Sequence, residues 1–454
     1  MVVFSKKEPI LLFLGDIALF VAALWLTLTV RYFELPSTTL LYDHIVPFSI
    51  LFALWALIFF IAGLYDKHTV IFKRKLPTII LNTQLVNVSI AALFFFFVPY
   101  FGIAPKTNLI IYLLISFPLI LLWRLVIFPM LGVRKKQKAI LIGHGKEMKD
   151  LETEINNNPR YGLEFVLTID LAKVTNLNDI QKEVLVRIGP EEASIIVSNT
   201  RNEKMEALLP LLYNLTFLQI KFQFIDINQL YEDVFDRIPL SSLQREWFLE
   251  NISSTSAGVY DIMKRTIDVV AALTMGVVTA IIYPLVYVVY KFEGDGPVFI
   301  AQKRIGKYNE SITAYKFRSM TQNEDGVWIG ESKNEVKRIG RVLRSTSLDE
   351  FPQFWNILKG EMSLIGPRND VSGLGSRLAE AIPHYNMRYL VKPGLSGWAQ
   401  IKQDYSKGNI SPQSVEETKI RLSYDLYYIK NKSFLLDIVI ALRTIQTLIS
   451  RLLP

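Results

Sequence analysis

Four long apolar segments near the start of the chain constrain its fold more than any other feature of the sequence. They are Ile10–Val30, Ile45–Tyr65, Ile79–Tyr100 and Leu109–Leu131. Each approaches or reaches the roughly 20 residues that an α-helix needs to cross the hydrocarbon core of a bilayer. We therefore predict a four-helix transmembrane bundle over residues 1–135, in which the first segment is a retained helix and not a cleaved signal peptide.

The composition agrees with membrane residence and excludes several kinds of site. Hydrophobic residues make up 51% of the 454-residue chain, and the formal net charge is +8. This charge favours anionic lipid headgroups and phosphorylated substrates as partners, and we expect no nucleic acid. The absence of cysteine excludes disulfides and thiolate catalysis, and the four histidines lack zinc-binding spacing.

Basic residues between the apolar segments predict the orientation of the bundle. They precede the first segment, separate the second from the third, and follow the fourth: Lys6, Lys7, Lys67, Lys73, Arg74, Lys75, Arg134, Lys135, Lys136 and Lys138. Because lysine and arginine are enriched in cytoplasmic loops, both ends of the bundle and the rest of the chain are expected on the cytoplasmic side. Within the segments, the charges of Asp16 and Arg124 are expected to face other helices or to reach an interface.

A small Rossmann-like α/β domain is predicted for residues 136–226. The stretch Ala139–Gly145 has the pattern of a buried strand that runs into a glycine turn, and a helical stretch, Lys146–Asn156, follows it. Two further strands, Ile195–Ser198 and Phe222–Asp226, predict a parallel sheet. We interpret residues 227–259 as a linker.

The glycine turn of this domain is an incomplete dinucleotide fingerprint. Gly143 and Gly145 have the required spacing, but Met148 stands at the position of the third glycine. No acid is expected at the end of a clear second strand, where a ribose-binding carboxylate would lie. A structural or regulatory role is therefore preferred, and nucleotide binding remains the alternative.

A second hydrophobic stretch occurs in the middle of the chain, and we predict a re-entrant membrane helix over residues 266–291. It begins near Asp268, it contains Pro284, and basic residues flank both of its ends (Lys264, Arg265 and Lys291). Flanks of this kind resemble cytoplasmic ones, and an internal proline removes one helical hydrogen bond. A helix that enters the membrane and returns on the same side fits both observations, and a plain fifth span is the alternative.

An adjacent carboxylate pair, Asp349 and Glu350, lies among arginines: Arg341, Arg344 and Arg368. Guanidinium groups hold phosphate through paired, charge-assisted hydrogen bonds, and the acids can bind a divalent metal, act as a base or attack phosphorus. An alternative is that Ser347 and Glu350 form a capping box at the start of a helix.

Two short predicted strands upstream carry further cations: Lys303, Arg304, Lys316 and Arg318. Basic surface residues are usually only solvated. Together with the arginines around the acid pair, however, these four would form a dense phosphate-binding surface.

The order of these motifs resembles that of the bacterial monotopic phosphoglycosyl transferases. From Tyr260 to Leu448 the sequence contains KRTID, the proline-broken run, GPVFIAQKRIG, KFRSM, LRSTSLDEFPQFWNILKGEMSLIGPR, KPGLSGWAQ and YDLYYIKNKSFLLDIVIALRTI. The resemblance implies a membrane α plus α/β architecture with a C-terminal α/β catalytic domain over residues 260–454. The N-terminal segments resemble the larger subfamily, which includes undecaprenyl-phosphate galactose and glucose phosphotransferases.

The resemblance implies a two-step covalent reaction. Asp349 matches the nucleophile, which would attack the β-phosphate of a UDP-sugar, release UMP and hold the sugar-phosphate as an acyl phosphate. Undecaprenyl phosphate would then take the sugar-phosphate. Mg²⁺ would neutralise the diphosphate, with Asp349 and Glu350 as its ligands, and Glu350 is assigned to metal binding or proton transfer.

Other matched residues carry expected roles in binding and placement. Arg344 and Arg368 match phosphate-binding arginines, and Asp425 matches an acid that would bind the sugar or cap a helix. Asp268 and Pro284 match the start and the break of the re-entrant helix. Membrane lipids and a homodimer are expected partners, in the bacterial inner membrane. Because arginines and a helix N-terminus lie nearby, we expect a low pKa for Asp349.

Two other classes of protein compete with this interpretation. A membrane sugar-nucleotide dehydratase or epimerase would need a Tyr-x-x-x-Lys pair in a soluble domain, and Tyr260 and Lys264, which have this spacing, lie directly before the predicted re-entrant helix. A non-enzymatic scaffold for polysaccharide assembly would be expected to have a degraded acid pair, whereas Asp349 and Glu350 are intact. The sequence does not fix the sugar.

Overall fold

The computed structural model describes residues 7–65, 76–101, 106–131, 136–158, 161–173, 193–199, 210, 213, 223–252, 258–293, 296–320, 338–405 and 411–452. They form two compact units, which are described separately. One unit spans Met1–Lys136 with Pro159–Leu163, and the other spans Gln137–Asn158 with Glu164–Pro454.

The first unit contains four long apolar helices: α1 (Lys7–Tyr32), α2 (Thr38–Ile61), α3 (Leu76–Phe97) and α4 (Lys106–Leu122). A π-helical turn, Trp123–Ile127, joins α4 to the short helix α5 (Phe128–Leu131). All four long segments are long and apolar enough to cross a membrane. The prediction of long N-terminal apolar helices is therefore confirmed.

Aromatic side chains and one ion pair form the interior of the first unit. The ring of Trp55 lies 5.7 Å from that of Phe20 and 5.1 Å from that of Tyr112. Arg124 forms a fully buried ion pair with Asp16, and its Nη1 also donates to the carbonyl oxygen of Leu64 at 2.6 Å. The two charges therefore face each other across helices, as burial of charge in an apolar bundle requires.

A four-stranded sheet opens the second unit, with the order β2-β1-β3-β4. Its strands are β1 (Gln137–Gly143), β2 (Leu163–Asp170), β3 (Ile195–Ser198) and β4 (Gln223–Asp226), and α6 (Gly145–Asn157) follows β1. Strand β3 pairs in parallel with both β1 and β4. The predicted parallel α/β sheet is therefore confirmed.

The second strand corrects one expectation from the sequence. Strand β2 ends at Asp170, so an acid does stand at the end of the second strand. The amide of Leu171 donates to the carbonyl of Gly143 at 2.8 Å, which places the ends of β1 and β2 at the same edge of the sheet. The sequence did not reveal this strand because Glu164 and Thr168 interrupt its apolar residues, so that they form neither a continuous apolar run nor a strict alternation.

Two helices occupy the segment interpreted as a linker: α7 (Ile227–Phe235) and α8 (Arg245–Asn251). Both pack on the C-terminal part of the chain. Lys430 pairs with Glu232 at 2.8 Å, and Lys402 pairs with Asp236 at 2.9 Å. Ion pairs and buried aromatic residues thus fix this segment in place.

A helix of 36 residues, α9 (Gly258–Glu293), begins the C-terminal domain and continues through Pro284. Its buried positions recur every three, four or seven residues on one face: Asp268, Ala272, Met275, Thr279, Val286 and Tyr290. The opposite face exposes large apolar side chains, among them Val270, Leu273, Val277, Ile281 and Leu285. One face of the helix therefore packs on protein along its whole length, and the other has the composition of a lipid-facing surface.

The remaining elements are short and surround the acid pair. Strands β5 (Phe299–Ile305) and β6 (Ser311–Phe317) are antiparallel, and β7 (Ser363–Ile365) pairs in parallel with β8 (Gly394–Ser396). The helices are α10 (Arg338–Ser345), α11 (Phe354–Lys359), α12 (Ser372–Ala381), α13 (Trp398–Lys402), α14 (Val415–Asn431) and α15 (Phe434–Leu452).

Candidate active site

The carboxylate pair lies on a 3₁₀ helix, Leu348–Gln353, between α10 and α11. Ser347 precedes it with φ of 56°, and its side chain caps no backbone amide. The alternative of a capping box is therefore wrong. The positive φ turns the chain sharply after α10, and Pro352 is accommodated in this short helix, where few amide donors are needed.

Glu350 is held by the arginine of the Gly-Pro-Arg loop that follows β7. Arg368 Nη1 donates to Oε2 of Glu350 at 3.2 Å, and its Nη2 makes a shorter contact with Oε1. Both side chains are about a quarter exposed, at 26% for Arg368 and 21% for Glu350. This bidentate pair aligns the carboxylate and keeps one guanidinium at the edge of the site.

Asp349 is only 9% exposed. Burial, and then the adjacent Glu350 charge, raise the pKa of Asp349 to about 7, against the attraction of Lys316, Arg344 and Arg368. The expectation of a low pKa for Asp349 is therefore wrong. Desolvation and the neighbouring carboxylate outweigh the cations that the sequence identified.

Glu350 titrates in the opposite direction. Burial raises the pKa of Glu350. Arg368, and after it Lys316 and Arg304, together lower this pKa by more than burial raises it, so that it lies below its usual value. The two adjacent acids thus differ in charge near neutral pH. The bound Glu350 is the stronger acid of the pair, and the pKa of Asp349 is raised towards neutral pH.

Three of the predicted phosphate-binding cations surround this pair, and a fourth orders the loop beside it. Lys316, Arg344 and Arg368 act on Asp349 through their charges. Arg304 donates to the side chain of Gln302 at 3.0 Å and to the backbone carbonyl of Asn369 at 3.2 Å. Arg304 therefore fixes the residue that follows Arg368.

The other predicted cations lie elsewhere. Arg318 is 8% exposed, its guanidinium lies 5.1 Å from the ring of Tyr290, and a Cβ on Gly296 would collide with it. It therefore anchors β6 to the end of α9. Lys303 and Arg341 are exposed, and Lys303 is on the opposite face of its strand from the neighbouring Gln302 and Arg304.

Asp425 lies behind the site, in a buried network of charges that the sequence did not predict. Arg388 Nε donates to Asp425 at 3.0 Å, and Arg388 also pairs with Asp370. Arg421 donates to Asp370 at 2.7 Å. Asp425 is 1% exposed. Its assignment to sugar binding stays a prediction, and the observed contacts are those of a structural acid.

This network positions the active-site arginine. Arg388 Nη2 donates to the backbone carbonyl of Arg368 at 2.7 Å. The hydroxyls of Tyr385 and Tyr389 donate to Asp370 at 2.8 and 2.7 Å. Because these partners are buried, the backbone of Arg368 is fixed by groups that lie outside the site itself.

Asp268 anchors α9 to the strand that leads into the Gly-Pro-Arg loop. Its Oδ1 accepts from Ser363 Oγ at 2.9 Å and from the amide of Leu364 at 2.8 Å. The start of the apolar helix and the arginine loop are therefore connected through one carboxylate. Pro284, the second helix position that the sequence singled out, lies inside the continuous helix α9.

Asp349 and Glu350 are suitable in type to hold Mg²⁺ together with a diphosphate. Within the part of the chain that the structure describes, no group of three or more His, Cys, Asp or Glu forms a complete metal cage. Mg²⁺ usually binds one or two carboxylates and takes its other ligands from phosphate and water. Burial and then the neighbouring Glu350 charge raise the pKa of Asp349, and a divalent cation beside the two carboxylates would offset both effects.

The architecture and the site together define a membrane-associated protein with a carboxylate and guanidinium centre. The family described as bacterial sugar transferase matches residues 259–451. A UDP-glucose:undecaprenyl-phosphate glucose-1-phosphate transferase of Caulobacter vibrioides is 35% identical over 193 residues, which are 42% of this chain and 71% of that protein. The chain belongs to the bacterial sugar transferase family, which confirms the resemblance in the motifs.

Two other relatives cover different shares of the chain. A UDP-N-acetylgalactosamine-undecaprenyl-phosphate N-acetylgalactosaminephosphotransferase of Aeromonas hydrophila is 36% identical over 230 residues, 49% of this chain and 52% of that protein. An undecaprenyl-phosphate glucose phosphotransferase of Komagataeibacter xylinus is 29% identical over 332 residues, 70% of this chain and 60% of that protein. The chain therefore spans about half the length of the Aeromonas relative.

Proposed function

We propose that this protein transfers a sugar-1-phosphate from a UDP-sugar to undecaprenyl phosphate, giving undecaprenyl-diphosphate-sugar and UMP. This would be the first membrane step in assembly of an exopolysaccharide, O-antigen or capsule. The observation that carries the proposal is the acid pair Asp349 and Glu350 within the fields of Lys316, Arg344 and Arg368. The names of the relatives describe the same class of reaction.

In the first step, a carboxylate oxygen of Asp349 attacks the β-phosphorus of the UDP-sugar. The bond between the β-phosphorus and the bridging oxygen breaks, and UMP leaves with the bonding electrons. Asp349 must be ionised to attack, and a pKa of about 7 supplies a substantial ionised fraction with a more basic oxygen. Arg344, Arg368 and Lys316 stabilise the charge that develops on the phosphoryl oxygens.

In the second step, a phosphate oxygen of undecaprenyl phosphate attacks the phosphorus of the aspartyl intermediate. The acyl-phosphate bond breaks and returns the Asp349 carboxylate. Glu350 stays ionised beside Arg368 through both steps, which keeps the arginine fork aligned on phosphate. Bound Mg²⁺, held by Asp349 and Glu350, would neutralise diphosphate charge.

The contacts of α9 support a catalytic domain that lies on one side of the membrane. Near its start, Lys264 Nζ donates to the carbonyl of Ile365 at 2.9 Å. Near its end, Tyr290 packs in a cluster with Phe317 and Leu343. A straight span would carry the two ends to opposite sides of a hydrocarbon core of roughly 30 Å, whereas both contact the same domain. This favours the re-entrant helix, on the cytoplasmic face of the inner membrane.

The structure weighs against the dehydratase or epimerase interpretation. The Tyr-x-x-x-Lys spacing occurs at Tyr260 and Lys264, at Tyr287 and Lys291 and at Tyr428 and Lys432. In the pair singled out from the sequence, the side chains of Tyr260 and Lys264 both bind Asp437, at 3.0 and 2.8 Å. They therefore belong to a structural contact between α9 and α15. A scaffold without activity would not need the buried, proton-exchanging acid that Asp349 provides. A homodimer stays a prediction.

The proposal is tested by UMP release from a panel of UDP-sugars with undecaprenyl phosphate and Mg²⁺. We expect the wild type to release UMP with one or a few sugars, and Asp349→Asn to be at least about a thousandfold slower, because it lacks the attacking oxygen. Asp404→Asn, which changes an exposed acid, is the matched control. Undiminished release by Asp349→Asn would remove Asp349 as the nucleophile.

A second readout separates covalent from direct transfer. Without undecaprenyl phosphate, a covalent mechanism gives a burst of UMP that does not exceed one equivalent of enzyme. Direct transfer gives no burst. If no UDP-sugar releases UMP under either condition, the proposed reaction is wrong.

A further inference from the structure

A cavity of about 710 Å³ lies at the start of α9, apart from the acid pair. Its walls come from α8, the first turns of α9, the turn after β5 and the segment that precedes β8. Neither Asp349 nor Glu350 lines it, and none of the eight predicted substrate-binding residues does so. Its size lies within the range of small-molecule sites.

Five cationic side chains line this cavity, and they outnumber its two carboxylates, Asp261 and Asp268. The cations are Lys264, Arg265, Lys307, Lys392 and Lys432. Lys264 is paired with Asp437, and Asp268 is engaged by the Ser363 hydroxyl and by a backbone amide. The cavity therefore keeps an excess of positive charge.

The guanidinium of Arg265 is fixed without being neutralised. Its Nη1 and Nη2 each donate at 2.6 Å, to the carbonyl oxygens of Ile357 and Leu358 near the end of α11. Carbonyl groups satisfy the donors but carry no formal charge. The positive charge of Arg265 thus stays available to the cavity.

Lys392 stands beside this arginine and makes no ion pair or hydrogen bond with any residue in the part of the chain that the structure describes. Its Nζ lies 3.4 Å from the position that a Cβ on Gly360 would occupy, and Arg265 Nη1 lies 4.0 Å from the same point. Burial and repulsion from Arg265, and to a smaller extent from Lys307, lower the pKa of Lys392, although the charges of Asp268 and Asp261 act against this. A bound anion would relieve the repulsion that remains between these cations.

Exposed apolar side chains also line the cavity, and the α9 residues that line it come directly before the apolar stretch of that helix. Leu249 and Tyr308 line it, with 85% and 64% of their surface exposed. The cations of α9 come just before its apolar stretch, which is the usual position of basic residues at a membrane surface. An anionic group with an apolar extension would match both parts of the cavity.

We propose that this cavity is a second phosphate site, which binds the phosphate of a lipid headgroup between Lys392, Arg265 and Lys307. The headgroup would sit against α9 while the acyl chains follow its exposed apolar face. The phosphate site itself does not depend on the proposed membrane placement, because the same cations would bind a soluble phosphate compound. The membrane placement is needed only for a lipid to be the source of the phosphate. Neither binding mode requires the transferase reaction.

The test measures ligand-dependent thermal unfolding of the full chain, purified in a non-ionic detergent without UDP-sugar. Phosphatidylglycerol and inorganic phosphate are titrated in separate arms. We expect phosphatidylglycerol to raise the unfolding midpoint of the wild type and to bind roughly fivefold more weakly to Lys392→Gln, since one interfacial cation is lost. Lys307→Gln provides a second variant, and Lys419→Gln, on α14 and away from the cavity, is the charge-matched control.

The unfolding temperature without ligand gives a second comparison between Lys392→Gln and the wild type, and the expected difference has the opposite sign. Without ligand, Lys392→Gln should unfold at the same or a higher temperature than the wild type, because a half-buried, repelled charge is removed. If inorganic phosphate gives the variant-sensitive shift, the site is supported with a soluble source. If Lys392→Gln and Lys307→Gln respond to both ligands as Lys419→Gln does, the proposal is overturned, whatever the outcome of the UMP assay.

Discussion

At the scale of single residues, the acid pair combines two different protonation behaviours in adjacent positions. Glu350 is bound by Arg368, while Asp349 keeps a raised pKa of about 7 because it is buried next to a negative charge. An acid with a raised pKa holds its proton in the folded state at pH values where the unfolded chain has released it. The contribution of Asp349 to the free energy of unfolding therefore decreases as the pH rises from about 4 to about 7.

This behaviour predicts that Asp349→Asn stabilises the protein above neutral pH. At pH 8 with a chelator, we expect its free energy of unfolding to exceed that of the wild type by about 2–4 kcal/mol, since asparagine carries no charge to bury. The difference should shrink towards pH 4. Thermal unfolding between pH 4 and pH 8 measures it, with Asp404→Asn as the control for an exposed acid. A pH-independent difference would contradict the raised pKa.

The acid pair was predictable because neighbouring residues stay together in any fold. The pKa of Asp349 was not, since its burial and its charged neighbours depend on β6 and on the Gly-Pro-Arg loop. The network of Asp370, Arg388, Arg421 and Asp425 was not predictable either. Its members are spread over more than 50 residues with no helical or strand spacing, and only the tertiary fold brings them together.

At the scale of secondary-structure elements, helix α9 is long and apolar enough to cross a membrane, and it also supports the strand that leads into the Gly-Pro-Arg loop. The sequence predicted a re-entrant membrane helix over residues 266–291, and the observed helix extends further at both ends, to Gly258 and Glu293, and continues through Pro284. The polar residues at its start gave no apolar signal. They are helical because Asp268 and Lys264 bind β7 and its neighbours.

We expect Asp268→Ala to lower the free energy of unfolding by about 1–3 kcal/mol, because it leaves the partly buried amide of Leu364 and the buried hydroxyl of Ser363 without this acceptor. Asp268→Asn keeps one side-chain oxygen and should lose less. Chemical denaturation of both variants in detergent gives the comparison. The anchoring role would be refuted if the alanine and asparagine variants were equally stable.

At the scale of the whole molecule, the two ends of α9 decide on which side of the membrane the chemistry occurs. Because the chain has no cysteine, single cysteines can be introduced without a background. Val259 and Phe292 stand near the two ends and are 74% and 86% exposed, and Tyr100, between α3 and α4, is 89% exposed. These three positions report on the proposed orientation.

In intact cells, we expect a membrane-impermeant maleimide to label Tyr100→Cys and to leave Val259→Cys and Phe292→Cys unlabelled. After permeabilisation all three should react. This follows from a re-entrant α9 with both ends in the cytoplasm. Labelling of Phe292→Cys in intact cells, together with protection of Val259→Cys, would establish a fifth span.

The buried ion pair of the first unit has a consequence for how the protein is made. Asp16 and Arg124 are 108 residues apart in the chain. At bacterial translation rates, the ribosome needs roughly 5–20 s to add that length, and during this time α1 carries a carboxylate whose partner does not yet exist. A bundle that inserts helix by helix must therefore keep Asp16 protonated, or α1 beside the insertion machinery, until α4 arrives. The segment that carries Arg124 thus completes the charge environment of α1 long after α1 has been made.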